Sequence, residues 1–355
     1  MDYKPEQLKK LDPSDMYTRI YNFPEQLQEG FNLPINGDLS MVAPEGIDEI
    51  VIAGMGGSAI GGDFLRSYLA YDVKIPIQIN RNYSLPKLVD ENTFFVASSY
   101  SGNTEETLAA FAEARERNCK IFVATTGGTL GEAAKQYGYP HVVLPPGYEP
   151  RAALGYSFGP LLRLMEQVGF VSDQTQHVND ACDFLKENRK KMAQSVATGR
   201  NAAKKLADSL KDKIVIVYAG PDYYDTAAIR FKGQICENAK QLAYANICPE
   251  FNHNELVGFE FPSKQLSKLV VIFLTGPADS KGVTNRFKII NKIMKEKGIE
   301  TFFLAAGGPN RLAEMMSLVQ IGDMMSYYLA LINKTDPSPV HVINRLKGAL
   351  EKINQ

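Results

Sequence analysis

Between Phe94 and Thr107 the chain reads FFVASSYSGNTEET, and within it Ser99, Ser101 and Thr104 set hydroxyls around a lone Gly102. The stretch starts apolar at Phe94–Ala97, turns abruptly polar, and enters a helix with Glu105 and Glu106 in its first turn, where carboxylates suit the positive end of the helix dipole. A strand that ends in hydroxyls before a helix N-terminus makes an anion cradle, because free backbone N–H groups, the dipole and the hydroxyls converge on one spot. The stretch holds no Lys or Arg, which suits a phosphate monoester better than a triphosphate with magnesium. The plainer alternative is a set of Ser/Thr N-caps in a turn.

A second loop, Gly54-Met55-Gly56-Gly57-Ser58-Ala59, follows the apolar run Asp48–Ala53. Its spacing resembles the dinucleotide fingerprint G-x-G-x-x-A. That fingerprint needs an acid after the next strand, and the run Ile75–Ile79 ends instead in Asn80-Arg81. A ribose clamp for NAD is therefore missing, and Arg81 leaves an NADP reading open. A second phosphate-facing loop fits better, with Ser58 as hydroxyl donor and Gly56 and Gly57 permitting close backbone approach.

Further along stand candidates for proton chemistry. Arg151, after the rigid Pro145-Pro146-Gly147-Tyr148-Glu149-Pro150, falls at an expected helix start, where the dipole disfavours a cation. It marks either an anionic neighbour or an exposed arginine bonded to loop carbonyls. A helix expected over 226–245 carries Ala228, Phe231, Ile235, Ala239 and Leu242 as its core stripe, with Glu237 opposite and Gly233 one turn earlier. Glu237 reads either as a solvated acid near Lys240 and Arg230 or as a base beside a ligand that approaches Gly233 closely. His253, among Asn252, Asn254 and Glu255, reads as a structural histidine or as an acid/base with orienting partners.

These residues need a scaffold. Runs at Phe94–Ala97, Lys120–Ala124 and His141–Leu144 alternate with helical stretches and imply βαβ units with a parallel sheet, whose ligands lie beyond the carboxyl ends of the strands. Residues 173–211 read as a charged, solvated helical connector. The second half then repeats the first: Lys213–Ala219, Leu269–Leu274 and Thr301–Ala305 echo the earlier strands, without the serine-rich cradle. The expected division is 1–170, a connector over 171–211, and 212–355, ending in a helix that contains Lys347.

Composition bounds the function. A length of 355 residues with 45% hydrophobic content accommodates two domains with real cores. A net charge of -1 argues against nucleic acid or an anionic membrane as partner. No apolar run reaches membrane-span length, and the polar start MDYKPEQLKKLDP has no signal-peptide core, so a cytoplasmic location is expected. Cys119, Cys182, Cys236 and Cys248 form no CxxC pair and read as reduced thiols. The four histidines are not at ligand spacing, so no metal site is expected, and no cofactor. A phosphate cradle, a carboxylate and a histidine suffice to move a proton between adjacent carbons of a sugar phosphate.

SSYSGNTEET is similar to the phosphosugar-binding motif of SIS (sugar isomerase) domains. With GMGGSAIGGD, EPRAALG, ENAK and FNHNE, nearly the whole chain resembles the bifunctional phosphoglucose/phosphomannose isomerases. The resemblance implies an α/β chain of two SIS domains, each a doubly wound, flavodoxin-like, mostly parallel sheet flanked by helices. It implies metal-independent aldose–ketose isomerisation of glucose 6-phosphate and mannose 6-phosphate with fructose 6-phosphate, as in glycolysis and gluconeogenesis. Gly57, Ser58, Ser99, Ser101 and Thr104 would hold the 6-phosphate. Arg151 would stabilise a cis-enediolate, Glu237 would carry the proton between C1 and C2, and His253 would open the ring from the other subunit of a homodimer. Lys347 would assist at the ring oxygen. Ser338-Pro339 stands where the family often has Thr-Pro, and the gap from Ser338 to Lys347 is longer than in archaeal relatives. The rivals are a non-catalytic sugar-phosphate sensor, an aminosugar-phosphate synthase or deaminase, an isomerase of another phosphosugar, and an NADP-dependent dehydrogenase.

Overall fold

The computed structural model describes residues 4–353. Helices α1 (Pro5–Leu11), α2 (Met16–Tyr21) and α3 (Phe23–Phe31) lead in, and Pro24 sits in the first turn of α3 as its fixed φ allows. The first half continues as β1 (Ile35–Asn36), β2 (Glu49–Ala53), α4 (Gly56–Tyr68), β3 (Ile77–Asn80), β4 (Thr93–Ser98), α5 (Glu105–Glu116), β5 (Lys120–Thr125), α6 (Gly128–Tyr137), β6 (His141–Val143) and α7 (Leu154–Val168). Helices α8 (Thr175–Lys190) and α9 (Ala202–Leu210) follow. The second half holds β7 (Ile214–Ala219), α10 (Asp225–Ala239), β8 (Ala243–Ile247), β9 (Leu269–Thr275), α11 (Lys281–Glu296), β10 (Glu300–Ala305), α12 (Arg311–Ile332) and α13 (His341–Ile353).

The strands build two sheets. The first has the order β1-β6-β5-β4-β2-β3 and is parallel except for the short β1; the second, β10-β9-β7-β8, is parallel throughout. Strands β2 and β4 are buried along their whole length, as expected of apolar runs covered by helices on both faces. Ile50, Ile52, Phe94 and Val96 join one large core with Val215, Val217, Val270 and Ile272 of the other sheet, filled between by α3, α7, α8, α9, α10 and α12. Val51, Ala53, Phe95 and Ala97 alternate to the outer face under Ala110, Phe111 and Leu130. The outer face of the second sheet packs on Phe287, Ile290 and Met294 of α11. Helix α12 is long and apolar enough to span a membrane by length and composition alone, but 89% of the apolar window is buried inside the protein, and it serves as the central core helix.

Three expectations need correction. The helix expected over 226–245 ends at Ala239, where Lys240 takes a left-handed φ of 54°. Leu242 is accordingly not core but 62% exposed, and Ala245 lies in the unanticipated strand β8. A C′ residue is usually Gly, so a lysine there gave no stop signal; its ammonium secures the turn by donating to the carbonyls of Glu237 and Pro337. Helix α8 is not simply solvated, because Val178, Ala181, Cys182 and Leu185 are buried against the core.

In the first sheet the chain passes from β2 to β3 on one side and then to β4 on the other. The loops after β2 and β4 therefore flank a topological switch point, where crevices form in open α/β sheets. The corresponding point of the second sheet, between β7 and β9, is filled by the protein's own groups. Asp279 accepts the Gly276 N–H at 2.9 Å, and the Tyr224 hydroxyl lies over the same glycine.

Candidate active site

The loop after β4 is organised from within. Ser99 is buried, its Oγ is 2.9 Å from Thr104 Oγ1, and it accepts the Gly102 N–H at 3.1 Å. Ser101 is exposed and accepts the Asn103 N–H at 3.3 Å. Gly102, at φ 71°, is demanded twice over: the left-handed turn disfavours a Cβ, and one placed there would stand 1.8 Å from the Gly127 carbonyl oxygen. Leu130 N–H donates to the Gly102 carbonyl at 3.0 Å and Thr129 N–H to Asn103 Oδ1 at 3.0 Å, so the start of α6 braces the loop.

The two loops at the switch point are tied together. The Tyr100 N–H donates to Ser58 Oγ at 3.0 Å, and Ser58 lies in the first turn of α4. The Tyr100 hydroxyl reaches the proline loop, donating to the Pro145 carbonyl at 2.6 Å and accepting the Tyr148 N–H at 3.1 Å. Tyr100 thus fixes the serine loop relative to the segment that carries Arg151. Gly57 does the same by contact, since a Cβ there would lie 2.5 Å from the Pro150 carbonyl oxygen. Its missing side chain admits protein backbone as its nearest neighbour.

Arg151 sits in a three-residue 3-10 turn, Pro150–Ala152, ahead of α7 rather than in that helix, so the dipole argument does not apply to it. Its side chain is buried and points to the other half of the molecule. Nε donates to Asn238 Oδ1 at 2.7 Å, and Nη2 donates to the carbonyls of Pro337 and Ser338 at 2.6 Å each. Nη1 lies 3.6 Å from Glu237 Oε2. The expectation of an exposed arginine is corrected, since the side chain is buried; loop carbonyls nevertheless take part of the fork, and a carboxylate stands beside it. Burial lowers the Arg151 pKa, and the Glu237 carboxylate opposes that shift.

Glu237 sits two residues from the end of α10, its side chain 38% exposed. Gly56, Gly57, Arg81, Arg151, Gly233 and Glu237 line one cleft of about 190 Å³, with Gly233 leaving open space where a side chain would project. Arg81 is held by an ion pair to Asp63 of α4. Lys240 lies on the far side of Glu237; burial, aided by the Arg151 charge, brings its ammonium down to about 8.

Of the expected phosphate-holding residues Gly57 lines this cleft, while Ser58, Ser99, Ser101 and Thr104 do not, and His253 and Lys347 are not brought to it either. His253 is exposed in a short 3-10 turn, and two of its expected orienting partners, Asn254 and Glu255, are engaged elsewhere. Asn254 donates to Glu250 at 3.1 Å, and Glu255 accepts from Tyr218 and Asn246. Lys347 is exposed on α13, a helix that leaves Val342, Leu346 and Ile353 open to solvent. Ser338 is buried with its hydroxyl unpartnered, while its carbonyl accepts from Arg151. Among the described residues no three His, Cys, Asp or Glu side chains converge as metal ligands.

Sequence reasoning missed Tyr100, Gln234, Asn238 and Asp323. Tyr100 offered a signal, an aromatic inside a serine turn; the other three act through partners up to 93 residues away, which spacing does not reveal.

The molecule is thus a pair of doubly wound sheets, with a serine-bearing loop at the first switch point and a carboxylate–guanidinium pair in the cleft. Residues 199–350 match the family described as bacterial phospho-glucose isomerase C-terminal SIS domain. The chain is 41% identical, over 95% of its length and 99% of the relative's, to the bifunctional phosphoglucose/phosphomannose isomerase of Caldicellulosiruptor bescii. It is 36% identical, over 66% of its length and 71% of the relative's, to a D-glucosamine-6-phosphate 4-epimerase of Sulfolobus acidocaldarius. Its fold is shared with a hypothetical protein from Thermus thermophilus, at a TM-score of 0.73, 16% identity, and coverage of 98% of this chain and 92% of that one. The chain belongs to the bifunctional phosphoglucose/phosphomannose isomerase family.

Proposed function

We propose that this protein interconverts glucose 6-phosphate and mannose 6-phosphate with fructose 6-phosphate. The observation that carries the reading is the Glu237 carboxylate 3.6 Å from the buried Arg151 guanidinium, in a cleft bordered by the Gly56-Gly57 start of α4. The 6-phosphate is held at the first turns of α4 and α5 by Gly57, Ser58, Ser99, Ser101 and Thr104, where helix N-termini favour an anion. That anchor positions the other end of the sugar over the cleft.

In the aldose-to-ketose direction Glu237 takes the proton from C2, electrons move onto the C1 oxygen, and a cis-enediolate forms. Arg151, already fixed by Asn238 and the Pro337 and Ser338 carbonyls, stabilises the developing charge without reorganising. Glu237 then returns the proton to C1 while the hydroxyl proton on O2 passes to O1, so that C2 becomes the carbonyl and C1 bears the hydroxyl. Glucose and mannose phosphates differ only at C2 and pass through one enediolate, so a single base serves both. The anion needs no resident metal in this scheme. His253 opens the ring, and Lys347 acts at the ring oxygen. The exposure of His253 and the uncovered apolar residues of α13 support a homodimer in which His253 serves the neighbouring site. The labour divides between residues 1–170, which bind phosphate, and 212–355, which bring the base, with 171–211 between them; a first sheet ending at Val143 and a second starting at Ile214 support that division.

The epimerase relative favours a second reading, in which another phosphosugar is the preferred substrate. Turnover of fructose 6-phosphate in EDTA, following both aldose phosphates, tests the proposal. Both products support it. Glucose 6-phosphate alone restricts it to one epimer, with Ser338 as the residue at issue. Neither product, with fructose 6-phosphate still bound, overturns it in favour of a sensor or another substrate.

A further inference from the structure

Helix α10 carries Arg230, Gln234, Glu237 and Asn238 at i, i+4, i+7 and i+8, one stripe along the helix. Three of the four grip the turn that bears Arg151, Arg230 and Gln234 from the wall of the cleft and Asn238 from behind it. Arg230 Nη2 donates to the Arg151 carbonyl at 2.8 Å, Gln234 Nε2 reaches the same oxygen at 3.5 Å, and Asn238 accepts from Arg151 Nε at 2.7 Å. The residue is thus held at both its backbone and its side chain by the helix that presents Glu237.

Behind the stripe lies Asp323 of α12. Its Oδ1 takes Arg230 Nε at 3.1 Å and Gln234 Nε2 at 2.8 Å, and its Oδ2 takes Arg230 Nη2 at 2.6 Å. Both side chains of the ion pair are only 4% exposed. The Asp323 carbonyl also accepts from Ser326 Oγ at 2.8 Å, and Ser326 in turn accepts from Asn238 at 3.0 Å. A buried ion pair is poor support for stability, since desolvating two charges offsets most of their attraction and an apolar pair of similar volume does as well. What the pair supplies here is geometry: a bidentate carboxylate fixes the plane of Arg230, and that plane aims Nη2 at the Arg151 carbonyl.

We propose that Asp323 is a positioning residue for the isomerisation, acting through Arg230 and Gln234 to set the register of Arg151 against Glu237. This rests on the reading of Arg151 and Glu237 as the reacting pair. Asp323 is 3% exposed and does not line the cleft itself but braces Arg230 and Gln234, which do, so its effect is on kcat and not on phosphate binding, which belongs to the other sheet.

The test compares wild type, Asp323→Asn, Gln234→Met and Asn201→Ala, with kcat and KM for fructose 6-phosphate and Tm for each. Asn201 is equally buried but caps α9, accepting the Lys204 N–H at 3.0 Å. Asp323→Asn keeps the shape and loses the charge; kcat is expected to fall on the order of 10–100-fold with KM within about threefold, the scale of a misplaced catalytic group. Gln234→Met shifts the same parameter less. Asn201→Ala lowers Tm and leaves kcat unchanged. Folded Asp323→Asn with wild-type kcat overturns the proposal, as does an equal kcat loss in Asn201→Ala. Should Asp323→Asn fail to fold, Gln234→Met decides alone, and wild-type kcat there overturns it. An inactive wild type, or an active Glu237→Gln, would instead sink the underlying reading.

Discussion

Adding one methyl group at Gly57 should test the contact that places Arg151, with any effect on the phosphate cradle read separately in KM. A Cβ on Gly57 would lie 2.5 Å from the Pro150 carbonyl oxygen and 2.7 Å from its carbon. Both are backbone atoms, so no rotamer change relieves the clash. Ordinary contact requires the turn Pro150–Ala152 to back away from α4 by roughly 0.9 Å. Overpacking of this kind costs about 1–3 kcal/mol of stability, a Tm drop of a few degrees for a chain of this size. The same displacement carries Arg151 away from Glu237, and a misplacement near 1 Å lowers kcat on the order of 100-fold, or about 2.7 kcal/mol of barrier. Gly138→Ala supplies the control. Gly138 closes α6 at φ 70° with nothing within 4 Å of a Cβ, so alanine there costs about 1–2 kcal/mol of backbone strain far from the cleft. Steady-state kinetics and thermal melts of both variants decide the matter. Gly57→Ala that is folded and within threefold of wild-type kcat refutes the reasoning, as does Gly138→Ala with an equal kcat loss.

Further outcomes follow from the same network. Ser99→Ala leaves the Gly102 N–H and Thr104 without their shared partner, and KM for fructose 6-phosphate should rise about 10-fold or more, the scale of a hydrogen bond to a charged group, with Tm falling less than for Gly57→Ala. An unchanged KM would remove the loop from phosphate binding. Arg151→Lys cannot span Asn238, Pro337 and Ser338 together, so kcat should fall at least about 10-fold though the charge is kept; full activity would mean that charge alone matters. Burial and the Arg151 charge bring the Lys240 ammonium down to about 8 in the folded protein. Its folded pKa lies below the unfolded one, so the penalty on the charged form is complete below about pH 8 and is relieved as pH rises toward the ordinary lysine value. Unfolding free energy measured by urea at pH 8 and pH 10 should therefore increase in wild type relative to Lys240→Met; a difference independent of pH would contradict this.

Much of the scaffold could be read directly from residue types. DEIVIA, FFVAS and KIVIVYA announce buried parallel strands through continuous β-branched and aromatic runs, and SSYSGNTEET announces the loop through its chemistry. What stayed hidden depends on contacts across the chain. Helix α10 stops at a left-handed Lys240 that is stabilised by the Glu237 and Pro337 carbonyls, and no local glycine marks the stop. Arg230 enters the sequence only as a charge near Glu237, yet it is buried because Asp323, 93 residues on, meets it. Ser99 reads as a ligand hydroxyl, and its first task is to hold the turn through Gly102 and Thr104. His253 carries polar neighbours in sequence, but Asn254 bonds to Glu250, and Glu255 to Tyr218 and Asn246 instead. Local pattern reports the elements, while the register between the two halves is set by pairs that no window contains.

The central claim is that Glu237 carries a proton between C1 and C2 of a sugar phosphate. Fructose 6-phosphate incubated in D2O with wild type and with Glu237→Gln, both shown folded by their melts, tests it most directly. Wild type should yield aldose phosphates carrying solvent deuterium at C2, because a shared base exchanges its proton with water during some turnovers. Glu237→Gln should give neither product nor deuterium at C1 of recovered fructose 6-phosphate. Labelled product from Glu237→Gln at a rate near wild type would contradict the account and assign the base to another residue.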